Sequence, residues 1–206
     1  MKISYAILTH NEGACIETLL QTLVEYKDAV DEIVVVDDYS SDTLTLQILQ
    51  DYKQAKHIKL YQNYLSDDFA NQKNFLMNKC SGDFIFNIDA DEMVKPELIV
   101  NLKAIIEENP EVDLYAIARE NIVEGITEEH IRKWGWVVNE AGFINFPDYQ
   151  LRLIKNNSGI TWKNKVHEVP AFYKRLSFLP EEFALEHVKD IERQEKQNSF
   201  YGTIRN

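Results

Sequence analysis

The chain has 206 residues, 45% of them hydrophobic and 27% charged, which is long and apolar enough to bury a full core without disulfides or a structural metal. Lys and Arg total 22 against 34 for Asp and Glu, and the resulting net charge of −12 argues against nucleic-acid binding by counterion release. It argues equally against a purely electrostatic hold on anionic lipid.

The opening MKISYAILTH is too short and polar for a signal peptide, and no apolar run reaches the roughly 18 residues of a membrane span, so a cytoplasmic protein is expected. Ile3 to Leu8 reads as a strand. From Asn11, which is placed to cap it, a helix follows with Cys15, Ile16, Leu19, Leu20, Leu23 and Val24 at helical spacing. Glu32 to Val36 is a β-branched strand buried on both faces, and Leu44, Ile48, Leu49 and Tyr52 mark the next helix. Ile58 to Tyr61, Phe69 to Lys79 and Asp83 to Ile88 continue the alternation of strand, helix and strand. Pro96 opens a helix that Asn109-Pro110 ends, and Asp113 to Ala118 is a fifth strand. Cys15 and Cys80 both fall among apolar neighbours and read as buried free thiols.

Beyond residue 119 the pattern weakens. Arg119 to Pro147 reads as loop-rich, with Trp134 and Trp136 in it. Leu151 to Ile154 and Phe183 to Leu185 read as strands and Asp190 to Tyr201 as a polar terminal helix.

Alternating strands and helices with short connections predict an α/β fold, a Rossmann-like and mostly parallel sheet flanked by helices. Ligands bind such sheets beyond the carboxyl ends of the strands. The clusters THNE at 9–12, DDYSSD at 37–42 and DADE at 89–92 each follow a strand, so they should converge on one edge. Like charges this close need a positive partner. Asp89 and Asp91 are hard oxygen donors one residue apart, suited to Mg²⁺ or Mn²⁺ carrying substrate phosphates. A turn that happens to hold two aspartates is the plainer reading of Asp89-Ala90-Asp91.

Four stretches, AILTHNE, EIVVVDDYSSDTL, NQKNFLMNKCSGDFIFNIDADE and DYQLRLIKNNSGITWKNKVHE, taken in this order, resemble the successive signatures of family-2 glycosyltransferases with the GT-A fold. The likeness is to bacterial members that build lipopolysaccharide cores, capsules and other surface glycans. It implies one domain over 1–206, with 1–118 as the nucleotide-sugar half and 119–206 as a smaller, mixed acceptor-side half. It also implies a metal-dependent inverting transfer from a nucleotide-diphospho-sugar, UDP-linked, to a glycan or glycolipid at the inner face of the membrane.

Laid on matching residues, the resemblance puts Thr9, Glu12, Asp37 and Asp38 around the base and ribose. Asp37, Asp38 and Asp42 are otherwise turn and cap residues. Lys73 approaches the base or diphosphate or is a plain helix lysine, and Arg152 pairs with a carboxylate or the diphosphate. Asp89, Asp91 and His167 hold Mn²⁺ or Mg²⁺, with His187 as a second claimant. Asp148 is the base that deprotonates the acceptor hydroxyl, although Pro147 stands where the family has Glu, and Glu168 is the reserve. Trp162, Trp134 and Trp136 stack on sugar, or Trp162 packs in the core. A nucleotidyltransferase would want a Gly-rich phosphate loop where this chain has THNE, and a non-catalytic sugar-nucleotide binder would have little use for an intact DADE.

Overall fold

The computed structural model describes residues 1–203; positions 204–206 of the expected domain lie outside that range. Its first half alternates as the sequence does: β1 (Ile3–Thr9), α1 (Gly13–Tyr26), β2 (Glu32–Asp37), α2 (Thr43–Gln54), β3 (Lys59–Gln62), α3 (Phe69–Met77), β4 (Phe84–Asp89), the short β5 (Glu92–Met93), α4 (Pro96–Glu108) and β6 (Leu114–Ile117). The remainder contains β7 (Arg119–Glu124), α5 (Glu128–Trp134), β8 (Gln150–Lys155), β9 (Thr161–Lys163), β10 (Val169–Ala171), β11 (Leu176–Phe178), β12 (Leu185–Asp190) and α6 (Ile191–Thr203).

Seven strands make one sheet in the order β11-β6-β8-β4-β1-β2-β3. All its pairings are parallel except those of β8, which runs antiparallel between β4 and β6. The two-residue period of a strand explains both faces. Ile3, Tyr5, Ile7, Ile33 and Val35 meet the apolar stripes of α1, α2 and α4, while Ala6, Val34, Val36 and Ile85 meet Leu76 of α3. In α1 that stripe is Ile16, Leu19, Leu20 and Leu23, all buried, and each contributes about 1.5–3 kcal/mol of burial.

At the edge away from the loops that carry DADE, β1 and the turn before β4 touch closely. A Cβ on Gly82 would stand 2.7 Å from the Ser4 backbone nitrogen, so only glycine fits. Beside it Glu32 is buried but accepts from Lys2 at 2.8 Å, Lys59 at 2.7 Å and Ser4 at 2.7 Å. Burial pushes this carboxyl up, and those donors overcome it and hold it well below the ordinary carboxylate range.

Several expectations change. Asn11 does not cap α1; it lies at φ 56° and its Oδ1 accepts from the Ser41 and Asp42 amides, tying the β1 loop to the β2 loop. Residues 119–147 are loop-rich as expected but carry two regular elements: β7, which pairs with β12, and α5, which Thr127 caps in a capping box with His130. The expected strand at Phe183 is a 3-10 turn over Glu181–Phe183, and the strand starts at Leu185. Both cysteines are free but half-buried, and burial, with Glu32 nearby, pushes the Cys80 thiol up to about 12.

Candidate active site

The strand ends do converge. A cleft of about 1210 Å³ opens where β1 and β4 end and β8 begins, and it is large enough for a nucleotide sugar and part of an acceptor. Asp89, at the end of β4, and Asp91 just beyond it line its floor, while the third carboxylate, Glu92, is buried behind them. Glu92 is 0% exposed and accepts from the Asp89 amide at 3.0 Å. Arg152, itself 3% exposed, reaches across from β8 and donates through Nη2 to Asp89 Oδ2 at 2.5 Å and also to Glu92 Oε1. Burial pushes the Asp89 carboxyl up, and the charges of Arg152 and Lys73 overcome this and hold it far below the carboxylate range.

The charges continue in alternation on either side. Lys73 Nζ is 2.5 Å from Glu168 and 4.0 Å from Asp89. On the other flank Arg119 Nη1 donates to Glu92 at 3.3 Å, and its Nε and Nη2 donate to Asp148 Oδ2 at 3.1 and 2.8 Å. Asn121 and Gln150 also donate to Asp148, at 2.8 and 2.9 Å. Buried ion pairs repay their desolvation only when so fully hydrogen-bonded. Desolvation raises Asp148, Arg119 and Asn121 more than reverse it, and the carboxyl lies below its usual range.

Asp91 faces other groups. Its Oδ2 lies 3.3 Å from His187 Nε2, 3.5 Å from Lys189 Nζ and 3.0 Å from Arg193 Nη2. The His187 tautomer can be reasoned out. Asn121 Nδ2 points at two acceptors, Asp148 and the Ile144 carbonyl, so its Oδ1 must face His187 Nδ1 at 2.7 Å, and Nδ1 donates. Nε2 then faces Asp91 Oδ2 at 3.3 Å. A ligating histidine oriented by an amide on its other nitrogen is the usual support of a metal site.

Among the described residues no three His, Cys, Asp or Glu side chains form a metal-binding group, so the expected trio of Asp89, Asp91 and His167 does not converge. Asp89 is held by Arg152, and His167 is an exposed residue on the cleft rim at φ 54°. Asp91 and His187 are an oxygen and a nitrogen donor side by side on the cleft wall, with Asp91 Oδ2 also shared by Lys189 and Arg193. Mg²⁺ and Mn²⁺ often take few protein ligands and complete their shell with substrate phosphate and water.

At the other end of the cleft, Thr9 is 4% exposed and its Oγ1 has no hydrogen-bond partner among the described residues. Such an orphan hydroxyl is a ready contact for a ligand. Asp38 lines the cleft and accepts from the Leu65 amide at 2.9 Å, while Tyr39 and Tyr64 stack beside it at 3.8 Å. Glu12 also lines the cleft and is bound by Arg193. Asp37 does not line it: its carboxylate is spent on Ser40 at 2.6 Å and Gln62 at 3.2 Å, the turn role that was the alternative reading. Asp42 caps α2 through the Thr45 amide.

The family model for glycosyl transferase family 2 matches residues 4–174. The chain belongs to this family. Two curated relatives are LpsC of Rhizobium meliloti (strain 1021), a lipopolysaccharide core biosynthesis glycosyltransferase, and TarS of Staphylococcus aureus (strain Mu50), a poly(ribitol-phosphate) β-N-acetylglucosaminyltransferase. LpsC is 30% identical over 175 residues, 82% of this chain and 56% of that protein. TarS is 30% identical over 112 residues, 53% of this chain and 19% of that protein. The chain thus matches a fifth to about half of these relatives' length. The crystal structure of S. aureus TarS 1–349 in complex with UDP-GlcNAc superposes with a TM-score of 0.66 at 22% identity, covering 92% of this chain and 59% of that one. The fold is GT-A.

In this family-2 chain the cleft residues without a signal in the sequence are Arg119, Asn121, Lys189 and Arg193. They stand in segments without clear periodicity, and an isolated arginine or asparagine carries no local signal. Trp162 is buried against Leu114 and Ile154, as the core reading had it, although Lys73 lies 4.4 Å over its ring and its indole nitrogen has no partner among the described residues. Trp136 lines the cleft and packs on Trp134 at 4.6 Å.

Proposed function

We propose that this glycosyltransferase moves a sugar, with inversion, from a UDP-linked donor to a glycan or glycolipid acceptor of the cell envelope. The observation that carries the reading is one cleft holding, in sequence, the orphan Thr9 hydroxyl with Asp38, the Asp89–Asp91 carboxylates, and Asp148. The base and ribose lie by Thr9 and Asp38, where Asp38 accepts from an imide N–H. The diphosphate lies over Asp89 and Asp91, and residues 1–118 are the donor half. The acceptor enters from the half that starts at 119.

Asp148 takes the proton of the acceptor hydroxyl as that oxygen attacks the anomeric carbon and the bond to the diphosphate breaks. Its depressed carboxyl is ionised and ready at neutral pH. Glu168 neutralises the buried Lys73 instead. Asp91 and His187 would hold Mn²⁺ or Mg²⁺, which when bound supplies charge stabilisation to the leaving diphosphate. Arg152 keeps Asp89 ionised and in place.

A thermal-shift panel of nucleotide sugars with and without Mn²⁺ tests the reading. A UDP-sugar at about 100 Kd is expected to raise the melting point by about 5–10 °C. No response to any nucleotide-diphospho-sugar would overturn it, and stabilisation without turnover would make the protein a sugar-nucleotide binder.

Action at the cytoplasmic face of a membrane is supported by the surface beside β10. Phe172 is 68% exposed with Lys163 5.5 Å over its ring, and Lys174 and Arg175 follow it, a basic and aromatic tip on a chain of net charge −12. No described helix is long and apolar enough to cross a membrane. Cosedimentation with phosphatidylglycerol vesicles should fall several-fold in the K163E/K174E variant; equal binding by both proteins sinks this role.

A further inference from the structure

The family model ends at residue 174, yet β12 and α6 build the wall of the cleft that faces Asp91. Arg193, in the first turn of α6, donates through one nitrogen, Nη2, to both Glu12 oxygens at 2.8 and 2.6 Å and to Asp91 Oδ2 at 3.0 Å. Lys189 is tied to Gln197 at 2.6 Å, which fastens this helix to its strand. Burial and the charge of Asp91 push the Glu12 carboxyl up despite Arg193, the mark of two acids crowded on one cation.

The cleft's other strong cations are committed. Arg152 is buried between Asp89 and Glu92, Lys73 is on Glu168, and Arg119 is on Glu92 and Asp148. Arg193 differs: its side chain is 36% exposed, and it hangs from a helix at the cleft mouth. A guanidinium has five N–H donors in a planar fork, and one nitrogen serves all these contacts. A diphosphate entering among Glu12, Asp89 and Asp91 needs a cation that can turn to meet it.

We propose that Arg193 is a donor-binding residue: its guanidinium releases Asp91, stays on Glu12 and binds the donor's diphosphate, so that α6 closes the cleft. The idea rests on the nucleotide-sugar reading above and adds a ligand from outside the span of the family model. It also frees Asp91 for the role assigned to it there.

The test is binding of UDP by calorimetry and of uridine by ligand-observed NMR, to the wild type, R193A and R193K, in EDTA and in excess Mn²⁺. R193A is expected to weaken UDP about 10–100-fold in both buffers, the worth of charge-assisted hydrogen bonds, with R193K intermediate and uridine unchanged. Amides of α6 should gain hydrogen-exchange protection with UDP in the wild type and not in R193A. Equal loss of UDP and uridine binding in both variants marks Arg193 as merely structural, and unchanged UDP binding in R193A is equally fatal. Should the wild type bind neither UDP nor a UDP-sugar, the nucleotide-sugar reading fails first and takes this one with it.

Discussion

Asp148→Asn is expected to lower kcat by about 100–10,000-fold while leaving UDP affinity nearly unchanged, measured by steady-state transfer and by calorimetry. The substitution keeps size and removes the basic oxygen. Arg119 and Asn121 still find an acceptor in the amide oxygen where Oδ2 now sits, and the Gln150 amide, which donates to Oδ1, can turn to accept from the new NH2, so the pocket should hold its shape. A general base contributes through proton transfer in the transition state and little to donor binding, hence the separation of kcat from affinity. A kcat within threefold of wild type would remove Asp148 from the chemistry.

The pH profile supplies a second reading of the same group. The Asp148 carboxyl lies below its usual value of about 3.9, so it is unprotonated throughout the range of about pH 5 to 8. Its acid limb in kcat/KM therefore falls below that range. Arg119→Ala removes the largest lowering influence, leaves desolvation, and should carry the limb upward towards neutrality. A wild-type limb between pH 6 and 7 that persists in Asp148→Asn would belong to another base.

Arg152→Met should cost about 3–5 kcal/mol of stability, read from denaturant unfolding, because it leaves buried Glu92 with only the longer Arg119 contact at 3.3 Å and neighbouring Asp89 with only Lys73 at 4.0 Å, two like charges with their main partner gone. Adding Glu92→Gln removes one of those charges, and the double variant should regain a good part of the loss; strict additivity would disprove the coupling. The sign with pH is defined. The folded-state pKa of Asp89 is depressed, so its stabilisation is complete above the unfolded value of about 3.9 and drains away as pH falls towards the native value. The gap between wild type and Arg152→Met should accordingly be widest near neutrality and narrow below about pH 4.

Much of this was legible in one dimension. A continuous β-branched run and period-3.6 apolar spacing report burial directly, so the strand at Glu32 to Val36 and the stripes of α1 and α4 are legible, and with them a parallel sheet whose ligand edge carries Thr9, Asp38 and Asp89. Polar residues obey no such period. Asn11 sits where helix caps sit and instead bridges two loops, and Asp37 and Asp38, adjacent in the chain, point one to a turn and the other to the cleft.

By itself, the sequence determined the layers, the strand ends and the acidic identity of the cleft floor, because these follow from local spacing and from the rule that parallel sheets bind at their carboxyl edges. Only the tertiary structure decided which cations answer those acids. Arg152 lies 63 residues from Asp89, His187 lies 96 from Asp91, and Arg193 lies 181 from Glu12. Such pairings arise from the paths of β8, β12 and α6 through space, and no pattern within a window of residues contains that information.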